Sequence, residues 1–487
     1  MIEFSPDRIA EEAAAQVVVA GASGRPERAV ADSREVRRGD LFFGLRGEHA
    51  DGGEYAAGAL EAGAWGVVVA PERARSLAGL RAGGGARDGG GWVLAADDPL
   101  GALQGLARGW RRELGCPVVG ITGSVGKTSV KDICHALLPM RVHASPENFN
   151  TEIGLPLALL GAPPEAEVLV LELAMRGRGQ IAELCAIAEP DIGAITNIGP
   201  VHLELLGTLD AIVEAKAEIL AGLSGRGRAV VPADAEALEP HLHDRLVTIT
   251  FGAGGDVFAL DPRGDGRSLD ATIATPDGEE RFSFPFGEAH NLSNALAAIA
   301  IGTALEAPLA EMARRAPGIT FSRLRGELIE LSDGIVLVND CYNANPVSMR
   351  AALDHLVTLQ AKRHAAVLGE MKELGPDAAG YHREVGSHAR RLGVGPIVGV
   401  GELARSYAPD AWAPDAEAAI PLAEAMLGQG DAVLVKGSRS VGLELVTDEL
   451  MARRSARGPD VTGAPGTSDD PGKPGGAHGG GGGGVRS

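Results

Sequence analysis

Short, unbroken apolar runs recur along the chain and alternate with amphipathic stretches. In the middle of the sequence they are VVGIT (118–122), VLVLELA (168–174), DIGAITNI (191–198), RAVVPA (228–233) and LVTITFG (246–252). Runs this short and continuous suit strands buried on both faces, the pattern of a parallel sheet covered by helices. Helical periodicity fills most of the gaps and ends in NLSNALAAIAIGTAL (291–305). Residues 255–286 lack this alternation and read as β-hairpins. The strand–helix rhythm resumes with IVLVND, SMRAALDHLVTL, AAVLGEM, YHREVGSHARRL, PIVGV, DAVLVKGS and GLELVTDELMAR. That predicts a second doubly wound α/β unit. Upstream, AVADSREV, DLFFGLRG, WGVVVA and WVLAAD read as strands, and YAAGALEAGA and LGALQGLARGWRREL as helices. Ser5-Pro6-Asp7 and Asp98-Pro99 carry helix-start signals, a capping side chain followed by proline.

Breaks in the pattern divide the chain. Gly115-Cys116-Pro117 stops one helix and Pro317-Gly318 follows another. The expected domains are 1–115, 116–318 and 319–456. GGGARDGGG (83–91) reads as a flexible surface loop, and residues 457–487, rich in Gly, Pro, Asp and Ser, as a disordered tail that cannot bury a core. The fold expectation is therefore α/β in three domains, with a central P-loop-type parallel sheet and a Rossmann-like C-terminal domain.

Charge narrows the function classes. With 65 acidic against 45 basic residues, the formal net charge of −20 argues against nonspecific binding to nucleic acid or anionic membranes. No apolar run approaches the ~18 residues that a membrane span needs. The scattered cysteines, Cys116, Cys134, Cys185 and Cys341, form no C-x-x-C. They suit a reducing cytosol rather than a disulfide framework.

The chemistry begins at PVVGITGSVGKTSVKD (117–132). A buried strand runs through a glycine turn into a helix opened by Lys127-Thr128. Backbone N–H groups and the positive helix end then converge on one point, a phosphate cradle. The residues of the cradle are Gly123, Ser124, Val125, Gly126, Lys127, Thr128 and Ser129. Lys127 is expected to reach the outer phosphates of ATP and Thr128 to hold Mg²⁺. Glu172, near the end of VLVLELA, is placed to complete Mg²⁺ coordination or simply to mark where the strand leaves the sheet.

Other polar clusters follow apolar strands. TNIGPVHLELLG places Asn197 and His202 at the same sheet edge, in reach of metal or phosphate. Lys216 reads as a solvated helix-face lysine. Asn291 reads as a helix cap, with Asn294 one turn on, set to read a base edge. VNDCYNANPVSM crowds Asp340, Tyr342, Asn343 and Asn345 before a helix begun by Ser348. GEMKELG and KGSRS end two further strands.

Together TGSVGKTS, NIGPVHLE, HNLSNALAA, DCYNANPVSM, GEMKELG and KGSRS make the chain, over about residues 30–450, similar to the Mur ligases. Within that family it resembles most the members that join D-alanyl-D-alanine to UDP-N-acetylmuramoyl-tripeptide. The resemblance implies ATP and Mg²⁺ as cofactors, these two molecules as substrates and an acyl-phosphate intermediate, while the cysteines point to the cytoplasm and the acidic surface without a coiled-coil pattern to a monomer. It implies that Lys127, Lys216, His202, Arg325 and Asp340 are catalytic. It puts Thr128, Glu172, His202 and a carbamylated Lys216 on metal. It assigns adenine reading to Asn291 and Asn294, and places Arg325 and Asp340 at the nucleotide, with Arg323 a rival for Arg325. Expected substrate contacts are Ser33, Arg34 and Gly47 in a uridine-nucleotide-binding N-terminal domain, then Asn150, Thr151, Tyr342, Asn343, Asn345, Ser438 and Arg439. Ala174 and Cys341 depart from the usual family residues. The DNPR-type signature of the diamino-acid-adding relative is missing from the last domain; Asp261-Pro262-Arg263 lies in the middle one. A lysine- or diamino-acid-adding ligase, a folylpolyglutamate-type synthase and a non-catalytic nucleotide-binding protein are the alternatives.

Overall fold

A computed structural model describes residues 3–47, 50–80, 90–146, 148–201, 203–223 and 227–455. Most of the glycine run 83–91 and the tail from 457 lie outside them. The strands in chain order are β1 (Gln16–Val19), β2 (Ala29–Val30), β3 (Leu41–Phe43), β4 (Gly66–Val69), β5 (Trp92–Ala95), β6 (Val118–Thr122), β7 (Val142–Ala144), β8 (Val168–Glu172), β9 (Ile192–Ile195), β10 (Arg228–Pro232) and β11 (Val247–Phe251). They continue with β12 (Phe258–Gly264), β13 (Leu269–Thr275), β14 (Gly278–Phe284), β15 (Glu327–Glu330), β16 (Val336–Asn339), β17 (Arg363–Gly369), β18 (Ile397–Val400), β19 (Ala411–Ala413) and β20 (Asp431–Lys436).

They build an α/β protein with several parallel sheets. The first has the order β1-β5-β4-β3-β2, with β1 antiparallel and the rest parallel. The central sheet, β11-β10-β9-β6-β8-β7, is parallel throughout. A three-stranded antiparallel sheet, β12-β13-β14, follows it and consists of the expected hairpins. The last sheet, β15-β16-β20-β17-β18-β19, is parallel apart from its edge strand β15.

Every residue of β6 and β8 is buried, which is why these strands read as continuous apolar runs. Alternate side chains feed two cores. Val119, Ile121, Val168 and Val170 pack with Val130, Ile133 and the helix Ala289–Ala304. Leu169 and Leu171 face the other way, toward Ile212, Ile219 and the helix Pro99–Leu114. That helix starts at Asp98, whose carboxylate accepts from the Leu100 amide (3.1 Å), and ends at Gly115 with φ 63°. Its Leu103, Leu106 and Trp110 share one cluster with Leu41 and Phe43 of the first sheet, so this core runs continuously from the first sheet to the central one.

The short strands β1, β7 and β19 lack a long continuous apolar run in the sequence. They are edge strands of three or four residues, only partly buried, and so need no continuous apolar run. The helix expected to begin at Ser348 begins at Pro346. Asn345 caps it, accepting from the Ser348 amide (2.9 Å), and the Ser348 hydroxyl accepts from the Asn345 amide (3.1 Å). The helix of Asn291 likewise starts two residues earlier, with Glu288 at its cap position. Among the described residues no helix is long and apolar enough to cross a membrane.

Candidate active site

The central sheet reverses its order of addition at β6. The chain passes to β7 and β8 on one side, then to β9 on the other. A crevice opens beyond the carboxyl ends of such strands. β6 ends there in the loop 123–126, β8 in Glu172 and β9 in Thr196-Asn197.

Two glycines give the loop its path. Gly123 and Gly126 have φ of 151° and 84°, which favour glycine. A Cβ on Gly123 would run into the Thr196 hydroxyl, and one on Gly126 into the Asn294 carboxamide. Asn197 pins the loop from outside, its Oδ1 accepting from the Ser124 (3.1 Å) and Val125 (2.9 Å) amides. The Thr196 hydroxyl donates to Val125 O (2.5 Å), and Ser124 Oγ donates to Gly199 O (2.9 Å). Lys127 Nζ donates back to Gly123 O (2.9 Å). The helix Lys127–Leu137 then starts with its first amides free of intrahelical partners, aimed into the crevice. Ser129 lies in that first turn.

Glu172 is buried beside this helix. Its Oε2 accepts from Thr128 Oγ1 (3.2 Å) and from Asn150 Nδ2 (3.4 Å), whereas Oε1 accepts no hydrogen bond among the described residues and faces Lys131 Nζ at 3.3 Å. Glu172 is therefore not the exposed residue of a strand leaving the sheet. Thr151, next to Asn150, receives the Gly154 amide on its hydroxyl (3.3 Å), just ahead of the helix Gly154–Leu160.

Lys216 overturns the reading of a solvated lysine. It is 2 % exposed on the helix Leu209–Ala221. Burial, then the nearby Lys127 charge, holds its pKa well below the ordinary lysine value. Lys127 is also held low, by burial first, with Glu172 opposing and Arg325 adding to the effect. The Arg325 charge is therefore felt at Lys127. Its guanidinium lies 4.1 Å above the Tyr342 ring and its buried Nε has no hydrogen-bond partner among the described residues, whereas Arg323 is exposed. Asn294 Nδ2 donates to Asn291 Oδ1 (3.0 Å), so the two carboxamides share a helix face beside Gly126.

A helix of the last α/β unit comes near the loop's surroundings. Val347, at the start of the helix capped by Asn345, lies against Gly199. Asp340 pairs with buried Lys436 (2.7 Å), which also donates to Asn343 O (2.9 Å). The Ser438 hydroxyl accepts from the Lys372 amide (3.0 Å), and Lys372 ion-pairs with Glu370. Arg439 is half-exposed and pairs with Glu444 (2.9 Å).

Not all the expected residues meet. Ser33 and Arg34 form a short turn after β2, where Arg34 pairs with Asp32 (2.5 Å), and Gly47 lies beyond β3. These positions share the edge of the first sheet, and no hydrogen bond or ion pair among the described residues ties them to the loop 123–126. His202 lies outside the described residues. Conversely, Lys131, Ser145 and Thr196 join the site without having been singled out. Lys131 follows Lys127 by one helical turn, and that spacing was the available signal.

Comparisons with known proteins agree with this arrangement. The family model for the Mur ligase middle domain matches residues 121–302, and that for the Mur ligase glutamate ligase domain matches 324–439. A UDP-N-acetylmuramoyl-tripeptide–D-alanyl-D-alanine ligase from Synechocystis is 37% identical over 443 residues, covering 86% of this chain and 91% of its own. Among solved structures, MurF from Acinetobacter baumannii aligns with a TM-score of 0.80 at 28% identity, covering 92% of this chain and 99% of its own. MurF from Thermotoga maritima in complex with ADP aligns with a TM-score of 0.75 at 29% identity, covering 88% and 98%.

Proposed function

The chain belongs to the Mur ligase family, and from that premise we propose that it joins D-alanyl-D-alanine to UDP-N-acetylmuramoyl-tripeptide. It is an ATP-dependent peptide ligase whose product is the UDP-muramoyl-pentapeptide of peptidoglycan synthesis, and through it serves cell shape and division. The observation that carries this reading is the phosphate loop at the sheet's switch point, with Thr128 and buried Glu172 side by side (3.2 Å).

A carboxylate is a poor electrophile, so the γ-phosphoryl group of ATP is first moved onto the tripeptide carboxylate. Lys127 and the helix amides bind the outer phosphates. Asn291 and Asn294 read the adenine. Arg325 and Asp340 meet the nucleotide from the last domain. The free amine of D-alanyl-D-alanine attacks the acyl phosphate, and the tetrahedral intermediate collapses to amide and phosphate. Closure of the last domain keeps water from the acyl phosphate.

Oxygen donors such as Thr128 and Glu172 fit Mg²⁺, and His202 and a carbamylated Lys216 complete the proposed ligand set. Bound Mg²⁺ would neutralise charge on the transferring phosphoryl group. The low pKa of Lys216 supports carbamylation, because only the neutral amine takes up CO₂. In this reading residues 1–115 hold the uridine nucleotide through Ser33, Arg34 and Gly47, and residues 116–318 hold ATP. Asn150 and Thr151 face the tripeptide. Residues 319–456 present the dipeptide through Tyr342, Asn343, Asn345, Ser438 and Arg439. The protein acts as a cytoplasmic monomer.

The test is phosphate release with Mg-ATP and UDP-N-acetylmuramoyl-tripeptide, with and without D-alanyl-D-alanine. Release that needs both, with a pentapeptide product, is expected. Release with the dipeptide precursor and a diamino acid instead would overturn the reading. Lys127→Ala should abolish turnover while leaving the fold intact.

A further inference from the structure

Lys131 is a buried cation with a specific set of partners. It is 4 % exposed, and an ammonium taken out of water is costly unless it is paired and hydrogen-bonded. Its Nζ donates to Ser145 O (2.9 Å) and ion-pairs with Glu172 Oε1 (3.3 Å) and Asp132 Oδ1 (3.6 Å). Ser145 works on the same carboxylate residue from the other side, its hydroxyl accepting from the Glu172 amide (3.2 Å).

The two oxygens of Glu172 are thereby given different tasks. Oε2 is turned toward Thr128 and Asn150, the side on which phosphate and cation are proposed to bind. Oε1 is held from behind by Lys131. Asp132 is likewise divided. Its Oδ1 meets Lys131, and its Oδ2 accepts from the Ser322 amide (2.8 Å). Ser322 lies in the segment that leads from the central sheet to β15. A continuous polar path thus runs from Glu172 through Lys131 and Asp132 to the interdomain linker.

We infer that Lys131 is a positioning residue: it fixes the Glu172 carboxylate for the divalent cation and transmits the charge state of that carboxylate, through Asp132, to the Ser322 amide of the linker. Two carboxylates share one ammonium. A cation on Oε2 of Glu172 draws negative charge away from Oε1, so that Lys131 leans more on Asp132 as its anionic partner. The Asp132–Ser322 contact then responds to cation binding. This inference rests on the reading of Glu172 as a cation ligand.

The experiment uses the full chain with ADP and Mn²⁺, following free Mn²⁺ by electron paramagnetic resonance. Lys131→Met should bind Mn²⁺ about 10- to 100-fold more weakly, the usual effect of losing an outer partner of a metal ligand. Its melting temperature without cation reports whether it folds; if it does not, Lys131→Gln, which keeps a donor for Ser145 O, replaces it. Hydrogen exchange at the Ser322 amide should change on adding Mn²⁺ in the wild type and not in the variant. Wild-type Mn²⁺ affinity in a folded Lys131→Met protein, with Glu172→Gln weakened, overturns the inference alone. Unaltered affinity in Glu172→Gln overturns the cation-site reading, and the inference with it.

Discussion

Acidification should weaken the last domain through one residue, His355. Its imidazole is buried in the helix Pro346–Leu356, with Nε2 3.5 Å from Glu288 Oε1 and no hydrogen bond between them. Burial pulls its pKa down to about 4 from the ordinary 6.5, and the Asp340 charge opposes this. A folded pKa below the unfolded one means that the unfolded chain binds a proton that the folded chain refuses. The contribution is complete above the unfolded value and is lost as pH falls toward the folded one. At ~1.36 kcal/mol per unit over roughly 2.5 units, about 3 kcal/mol is lost between pH 6.5 and 4. Neighbouring groups also titrate. His290 is lowered by burial and acts in the same direction, whereas burial raises Glu288, whose contribution runs the other way; Asp340 is ion-paired with Lys436. Comparing wild type with His355→Gln isolates the histidine. Urea unfolding at pH about 7 and about 4.5, read by hydrogen exchange in peptides spanning β16 and β17, gives the local stability without assuming one global transition. The wild type should lose about 2.4 kcal/mol more than the variant across this interval. Equal losses would refute the argument.

Gly126→Ala places a side chain at positive φ and against Asn294. It should cost about 1–2 kcal/mol in strain and weaken binding of an ATP analogue at least roughly tenfold by calorimetry. Asn345→Ala removes the cap of the helix that abuts Gly199, and its urea midpoint should report a loss of about 1 kcal/mol. Trp110→Ala empties a fully buried site between Phe4, whose ring centroid is 5.4 Å away, and Ala162 O, which accepts from the indole at 3.1 Å. It should destabilise by about 3–5 kcal/mol in chemical denaturation, and a loss under 1 kcal/mol would contradict the shared core.

Much of the architecture was legible because burial on both faces leaves a local trace. β6, β8, β16 and β20 are buried throughout, so apart from residues at their ends they are apolar and each declares itself as a strand. The phosphate loop was equally legible, because positive-φ glycines followed by Lys-Thr at a helix start are a requirement of the backbone and not of distant packing. Edge strands such as β7 and β19 were not legible: with one face open and three residues each, they impose little on composition.

The sequence by itself therefore determined the alternating α/β layers, the phosphate cradle and the placing of Glu172 at a strand end. Only tertiary structure decided what happens to the charges. Lys216 and Lys131 look like ordinary helix lysines in the sequence, yet one is buried within reach of the Lys127 charge and the other is locked between Glu172 and Asp132. That Arg325 is half-buried while Arg323 is exposed likewise depends on Tyr342, seventeen residues away, on which the Arg325 guanidinium rests. Burial and long-range pairing set the desolvation and Coulomb terms that make such groups chemically special. Both depend on elements distant in the chain, so no local spacing encodes them.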